Sequence, residues 1–305
     1  MKTKIFIIIV SYNGLKWLFK CLKSCEPFNI IVVDNNSTDG TVAFIQKNFP
    51  KITMLRQNNN LGFGAANNIG ISYALKKGAE YVFLLNQDAY LKPNTINDLI
   101  TIYKKNTDFG ILSPIHLNGI GEKLDRNFSK YIAVNKRLQY DTLKKMFLQQ
   151  IYEVPFVNAA AWLLPRKTIE KIGGFDPIFF HYGEDDNYCQ RILFHNLKIG
   201  IVPDIYVYHD RVPRSKKALK NKTEKLAHFE RSIKKRLLNI NDEVENDIIK
   251  IRQYLIKLTL KSCLKLRYNE AIFNVNKYIL LKNMLPKIRI SRKKNKVIGL
   301  HYLDD

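Results

Sequence analysis

Four stretches of this chain bring a chemically capable side chain to a position that its neighbours define. In residues 83–91, FLLNQDAYL, a buried strand runs into Asn86, Gln87 and Asp88, so the polar trio lies on the strand's carboxyl edge. A lone carboxylate flanked by amides suits a hard divalent cation that keeps its waters and takes further ligands from a substrate's phosphates. A strand simply ending in a polar turn is the plainer alternative. In residues 32–41, VVDNNSTDGT, another strand ends at Asp34, whose carboxylate can accept from the N3–H of a pyrimidine base, and Asp39 can cap the helix that follows. In residues 173–191, Glu184, Asp185 and Asp186 come directly after Phe179, Phe180 and Tyr182. Acidic residues at a helix start are favoured by the dipole alone. Aromatics beside a carboxylate also offer an apolar wall to a ring-shaped acceptor and move the carboxylate towards useful basicity. His209 closes the pattern IVPDIYVYH at a strand end, where it could complete a metal shell or serve a structural role.

The elements that must position these groups alternate. Residues 5–10, 30–33, 52–55, 81–85 and 110–114 read as strands, with helical spacings between them, such as Leu15, Leu18, Phe19 and Leu22. This rhythm argues a mostly parallel sheet covered by helices, whose carboxyl edge is the ligand side. In residues 59–70, NNLGFGAANNIG, Gly62 and Gly64 permit close backbone approach ahead of a helix, but the spacing is not a dinucleotide fingerprint. Residues 116–153 lose the rhythm and read as a variable insertion. A helix over about 184–194 and further strands up to Tyr208 complete the core.

The chain has 305 residues, 46% of them hydrophobic, and a formal net charge of +23. Disorder is excluded by composition, and anionic partners are implied. From Asp210 onward there are 25 Lys and Arg against 10 Asp and Glu. That region reads as helical: Leu226, Phe229, Ile233, Leu237 and Ile240 form an apolar stripe opposite basic residues, suited to packing on a catalytic domain or to a membrane surface. The run 287–296 reads as a solvated charge run or a lipid-seeking one. No aromatic–basic interleaving of an RNA module is present, which argues against nucleic acid. Four cysteines without CxxC or zinc spacing fit a reducing compartment. No apolar stretch reaches membrane-span length. A cytoplasmic location is expected, at most peripheral on the inner face of the plasma membrane.

The order of these clusters resembles the family 2 glycosyltransferases with the GT-A fold, and most closely their bacterial rhamnosyltransferase-like branch, which decorates surface polysaccharides. The likeness rests on VSYNG (10–14), VVDNNSTDGT, NLGFGAANNIG, NQD, the GGFD turn, the Glu184–Asp185 pair and the closing His209, over some two thirds of the chain. It implies an inverting transfer from a dTDP- or UDP-sugar to a glycan or lipid-linked glycan hydroxyl, with Mg²⁺ or Mn²⁺. It assigns Asp185 as catalytic base and Asp88 and His209 to the metal. Ser11, Asn13, Asp34, Gly64, Asn67, Asn86, Gln87, Trp162 and Glu184 are the expected substrate-binding residues. Two departures stand out. The metal motif opens with Asn86 where many relatives have Asp, a form similar to that of dTDP-rhamnose enzymes, and the Glu-Asp-x-Asp pattern ends in Asn187. The expected organisation is a catalytic domain over 1–211, comprising a nucleotide half (1–115), the insertion (116–155) and an acceptor half (156–211), followed by a basic helical region, 212–305. A catalytically degenerate domain serving as a membrane-associated scaffold is the competing reading.

Overall fold

A computed structural model describes residues 3–144, 146–211 and 221–304. The chain divides into two compact units, Met1–Val212 with Ile298–Asp305, and Pro213–Val297.

In the first unit the elements are β1 (Ile5–Ser11), α1 (Leu15–Ser24), β2 (Asn29–Asp34), α2 (Thr41–Asn48), β3 (Thr53–Arg56), α3 (Phe63–Lys76), β4 (Tyr81–Asn86), β5 (Ala89–Leu91), α4 (Thr95–Lys105), β6 (Phe109–Asn118), α5 (Phe128–Val134), α6 (Lys136–Lys144), β7 (Tyr152–Glu153), β8 (Ala161–Pro165), α7 (Arg166–Ile172), α8 (Glu184–Phe194) and β9 (Lys198–His209). One sheet runs in the order β3-β2-β1-β4-β8-β6-β9-β5, with β7 paired to β9. β1 to β4 are mutually parallel, and β8 enters antiparallel between β4 and β6.

Strands covered on both faces need apolar side chains at every position, and β1 supplies them in the run IFIIIV. Phe6 and Ile8 face one core, while Ile5, Ile7 and Ile9 face the other. The chain leaves β1 towards β2 and β3, then returns to pair β4 on the other side of β1. Such a reversal opens a crevice beyond the carboxyl ends of the strands.

The 116–155 region is more ordered than its sequence indicates. β6 continues to Asn118, and two short helices follow, held by the buried side chains of Phe128, Ile132 and Leu138.

The second unit comprises α9 (Lys222–Leu237), α10 (Glu245–Leu264) and α11 (Tyr268–Asn295). Asn221 caps α9 by accepting from Glu224 N at 2.8 Å, and Ile233 and Leu237 of the expected stripe are buried. The run 287–296 is not simply solvated. Arg292 is buried and donates to the carbonyls of Leu237, Asn239 and Asp242, which ties α11 to the α9–α10 connection.

The helical region does not extend to residue 305 as expected. Residues 298–305 belong to the first unit: Gly174 N donates to His301 O at 2.8 Å, Tyr302 Oη to Asp176 Oδ2 at 3.1 Å, and Asp304 N to Ser72 Oγ at 3.1 Å. At Gly173, φ is +80° and a Cβ would lie 2.4 Å from His301 O, so the paired glycines of the GGFD turn admit this strap. The junction expected after Arg211 runs into residues 212–220, which lie outside the described residues.

Candidate active site

Strand register sets the site. Ser11 is aligned with Asp34 across β1 and β2, and Val10 with Asn86 across β1 and β4, so three polar groups end neighbouring strands on one edge. The Asp34 carboxylate is 2% exposed. Its Oδ2 accepts from Ser37 N at 3.2 Å, and its Oδ1 is buried with no hydrogen-bond partner among the described residues. A buried carboxylate oxygen left unmatched is costly unless a donor arrives. Asn35, beside it, is fully employed: it accepts from Leu61 N and donates to Asn60 Oδ1 and Gly62 O, holding the glycine loop against the end of β2.

Gln87 and Asp88 form the two-residue turn between β4 and β5. Gln87 Oε1 accepts from Ser11 Oγ and Tyr12 N, both at 3.0 Å, and Gln87 Nε2 donates to Tyr12 O at 3.2 Å. It latches the loop after β1 to the turn after β4. Asn13, at φ +49°, accepts from Thr38 N at 2.8 Å and joins that loop to the one after β2. Asp39 does not cap α2 from the N-cap position, which is Gly40. Its oxygens accept from Thr41 N and Leu15 N, serving the starts of both α1 and α2.

β5 pairs with β9 so that Ala89 faces His209, which brings Asp88 Oδ1 within 3.3 Å of His209 Nε2. Asn86 Nδ2 stands 3.5 Å from the same nitrogen. Burial pushes the Asp88 carboxyl up, but its hydrogen bond with His209 and the nearby Arg211 cation more than offset this and hold it below the usual range. Arg211 Nε donates to His209 Nδ1 at 3.3 Å and pairs with Asp125 Oδ2 at 3.1 Å. Two cis ligands on an octahedral ion stand about 3 Å apart, so the Asp88–His209 pair fits one edge of such a shell. Among the described residues no third His, Cys, Asp or Glu joins them, which leaves the remaining positions of such a shell to water and phosphate oxygens.

α8 opens with Glu184 and Asp185, just after Gly183 at φ +105°. Glu184 is 5% exposed, its Oε2 has no hydrogen-bond partner among the described residues, and burial followed by the Asp185 charge pushes it up to about 7. Asp185 is half-buried and accepts from Asp186 N at 2.9 Å. Tyr131 of α5 is pushed up to about 12 by burial and then by Asp185, while Arg211 acts on it in the opposite sense. The Tyr131 ring therefore lies within electrostatic reach of both the α8 carboxylates and the end of β9. Sequence reasoning missed Tyr131, because nothing in the insertion marked it.

Trp162, Gly64 and Asn67, expected to bind substrate, are engaged with the protein itself. Trp162 is fully buried and stacks on Phe175 at 6.1 Å, so it belongs to the core. The close approach at Gly64 is to protein: a Cβ there would lie 2.9 Å from Phe175 Cβ. Asn67 is buried and its amide donates back to Phe63 O. The neighbouring Asn68, not singled out in the sequence, donates to Phe175 O at 2.8 Å and accepts from Phe175 N at 2.7 Å, clamping the GGFD turn to α3.

The sequence model of the family described as "Glycosyl transferase family 2" matches residues 6–173, more than half of the chain. The chain belongs to that family. It is therefore a glycosyltransferase, and its fold is GT-A. Among similar proteins, the Shigella flexneri dTDP-rhamnosyl transferase RfbF is 27% identical over 216 residues, covering 68% of this chain and 70% of that protein. The N-acetylglucosaminyl-diphospho-decaprenol L-rhamnosyltransferase of Mycobacterium tuberculosis is 23% identical over 231 residues, covering 67% of this chain and 75% of the relative. The crystal structure of S. aureus TarS residues 1–349 in complex with UDP-GlcNAc superimposes with a TM-score of 0.55 at 17% identity, covering 96% of this chain and 88% of that one, a likeness of fold. The family match ends at the GGFD turn, so α8 and His209 of this glycosyltransferase lie beyond the matched residues.

Proposed function

We propose that this glycosyltransferase is inverting and metal-dependent, and that it moves a sugar from a dTDP- or UDP-sugar to a hydroxyl of a glycan or lipid-linked glycan in surface polysaccharide synthesis. The observation that supports the donor reading is Asp34 Oδ1, a buried acceptor at the carboxyl edge of the sheet without a partner among the described residues. A pyrimidine N3–H matches it in charge and direction. Rhamnose is the favoured sugar: the Asn86-Gln87-Asp88 form resembles that of dTDP-rhamnose enzymes, and two of the relatives are named for rhamnosyl transfer. The mycobacterial relative's name also specifies a diphospho-decaprenol acceptor. An acceptor of that class would bring this enzyme to the inner face of the plasma membrane.

In this reading Asp185 removes the acceptor proton as the hydroxyl oxygen attacks the anomeric carbon opposite the departing nucleoside diphosphate. The Phe180 and Tyr182 rings, both exposed beside α8, wall the acceptor. Asp34 holds the base, and the loops latched by Asn13 and Gln87 hold the rest of the donor, so binding energy remote from the reacting carbon positions it. Asp88 and His209 would hold a Mg²⁺ or Mn²⁺ ion, which supplies charge neutralisation for the leaving diphosphate.

Calorimetric titration with dTDP, UDP and GDP, each with and without Mn²⁺, tests this. The expected result is tight, metal-dependent binding of one pyrimidine diphosphate. Absence of binding by all three would overturn the reading in favour of a degenerate scaffold.

A further inference from the structure

Apolar side chains are concentrated on the outside of the helical unit. The α10–α11 connection exposes Leu264, Leu266 and Tyr268 at 87%, 72% and 63%, alternating with Lys265 and Arg267. Leu266 adopts φ +54°, a left-handed conformation that glycine adopts without strain. A large apolar residue there is strained and still leaves most of its surface uncovered.

The same face continues along both helices. Ile256 and Leu260 of α10 and Val275 and Tyr278 of α11 line a shallow groove of about 180 Å³. A wider one of about 490 Å³ is lined by Gln253, Ile256, Lys257, Leu260, Lys261 and Leu264. Ile272 and Ile279 extend the exposed stripe at helical spacing. Lys257, Lys261 and Lys265 are exposed beside it and form no ion pair among the described residues, and Arg267 is loosely paired with Glu270 at 3.6 Å.

We propose that this face docks on an anionic lipid bilayer, with Leu264, Leu266 and Tyr268 inserted at the headgroup boundary. Lys257, Lys261, Lys265 and Arg267 lie at the lipid phosphates, their stems along the apolar stripe. Charge complementarity selects this occupant. The unit holds 24 Lys and Arg against 7 Asp and Glu, so a second copy would bring like charge against like, whereas an anionic surface neutralises it. No described helix is long and apolar enough to cross a membrane, so the hairpin lies on the surface. The face differs from the two places where the sequence pointed: the α9 stripe is largely internal, and Arg292 of the basic run is spent on carbonyls within the unit.

The test is co-sedimentation of the full chain with vesicles of 30% phosphatidylglycerol in phosphatidylcholine and with pure phosphatidylcholine. The wild type should bind the anionic vesicles at least about tenfold more tightly, with affinity falling as salt rises. L264S/L266S/Y268S should weaken binding about tenfold or more, with an unchanged thermal midpoint because the side chains are exposed. K257E/K261E should remove most of the preference for anionic lipid. The proposal is overturned if the wild type ignores anionic vesicles, or if the triple variant binds like wild type while charge reversal abolishes binding, the mark of a simple polyanion contact. It is equally overturned if the wild type is a dimer that the triple variant splits, with no lipid affinity. Nucleotide binding is measured separately, so failure here leaves the transferase reading intact, and failure there leaves this one.

Discussion

Asp185→Asn removes the only property that the proposed base needs, its proton affinity, and keeps its size. Transfer should fall by roughly 10²–10⁴-fold while calorimetric affinity for the nucleoside diphosphate stays unchanged. Near-normal turnover would mean that another group takes the proton. Glu184, one residue earlier, behaves differently because it is buried. Its folded-state value of about 7 lies above the ordinary 4.5, so the folded chain holds that proton more tightly than the unfolded one. Its contribution to stability is therefore complete below about pH 4.5 and is lost as pH rises through about 7, amounting to about 3 kcal/mol across the window. Glu184→Gln should flatten that part of the stability–pH curve, read as thermal midpoints between pH 4 and 8. An unchanged slope would show that the carboxylate is already ionised at neutral pH.

Elements carry the next level of control, because loops reach the site only where something ties them to a helix or strand. The Asn68 clamp does this for the GGFD turn, matching both backbone groups of Phe175 with one amide. Asn68→Ala leaves both unmatched in a buried setting and should cost about 2–4 kcal/mol in chemical denaturation. Asn68→Asp keeps the acceptor but sets a buried carboxylate against Phe175 O, and should cost at least as much. The same level shows why parts of the site were legible in the sequence. Asp34, Asp88 and His209 follow apolar strand runs, and the polar residues that close such a run mark a strand end without knowledge of the partner strands. Trp162 and Gly64 meet protein neighbours that motif position does not reveal, because it tells neither which face a side chain takes nor which neighbour a glycine admits. Tyr131 and Asn68 lie in segments whose partners are remote in sequence, Asn68 and Phe175 being 107 residues apart. Pairings at that distance have no local signature.

At the level of the whole molecule, the strap formed by residues 298–305 is the feature that periodicity could not show, since its contacts are made by backbone atoms and single side chains. Truncation after Val297 removes the partners of Gly174 N, Asp176 Oδ2 and Ser72 Oγ together. It should destabilise the sheet-bearing unit by several kcal/mol, with net hydrogen-bond contributions of about 1 kcal/mol each adding to the lost packing. The helical unit should melt as before. Tyr302→Phe alone should cost about 1 kcal/mol. A truncated chain with unaltered unfolding of the sheet unit would show that the strap is dispensable.

That strap also bears on how the protein is made. Synthesis is vectorial, and the sheet-bearing unit is interrupted by the 85 residues of Pro213–Val297 before its last segment is translated. At bacterial elongation rates the gap lasts on the order of ten seconds. During that interval Gly173 and Gly174 have no covering chain, and the helical hairpin can fold while the sheet unit is still incomplete. A ribosome that stalls within the helical unit would release a polypeptide with every strand of the sheet and no strap to close over the turn, a ready substrate for proteolytic quality control.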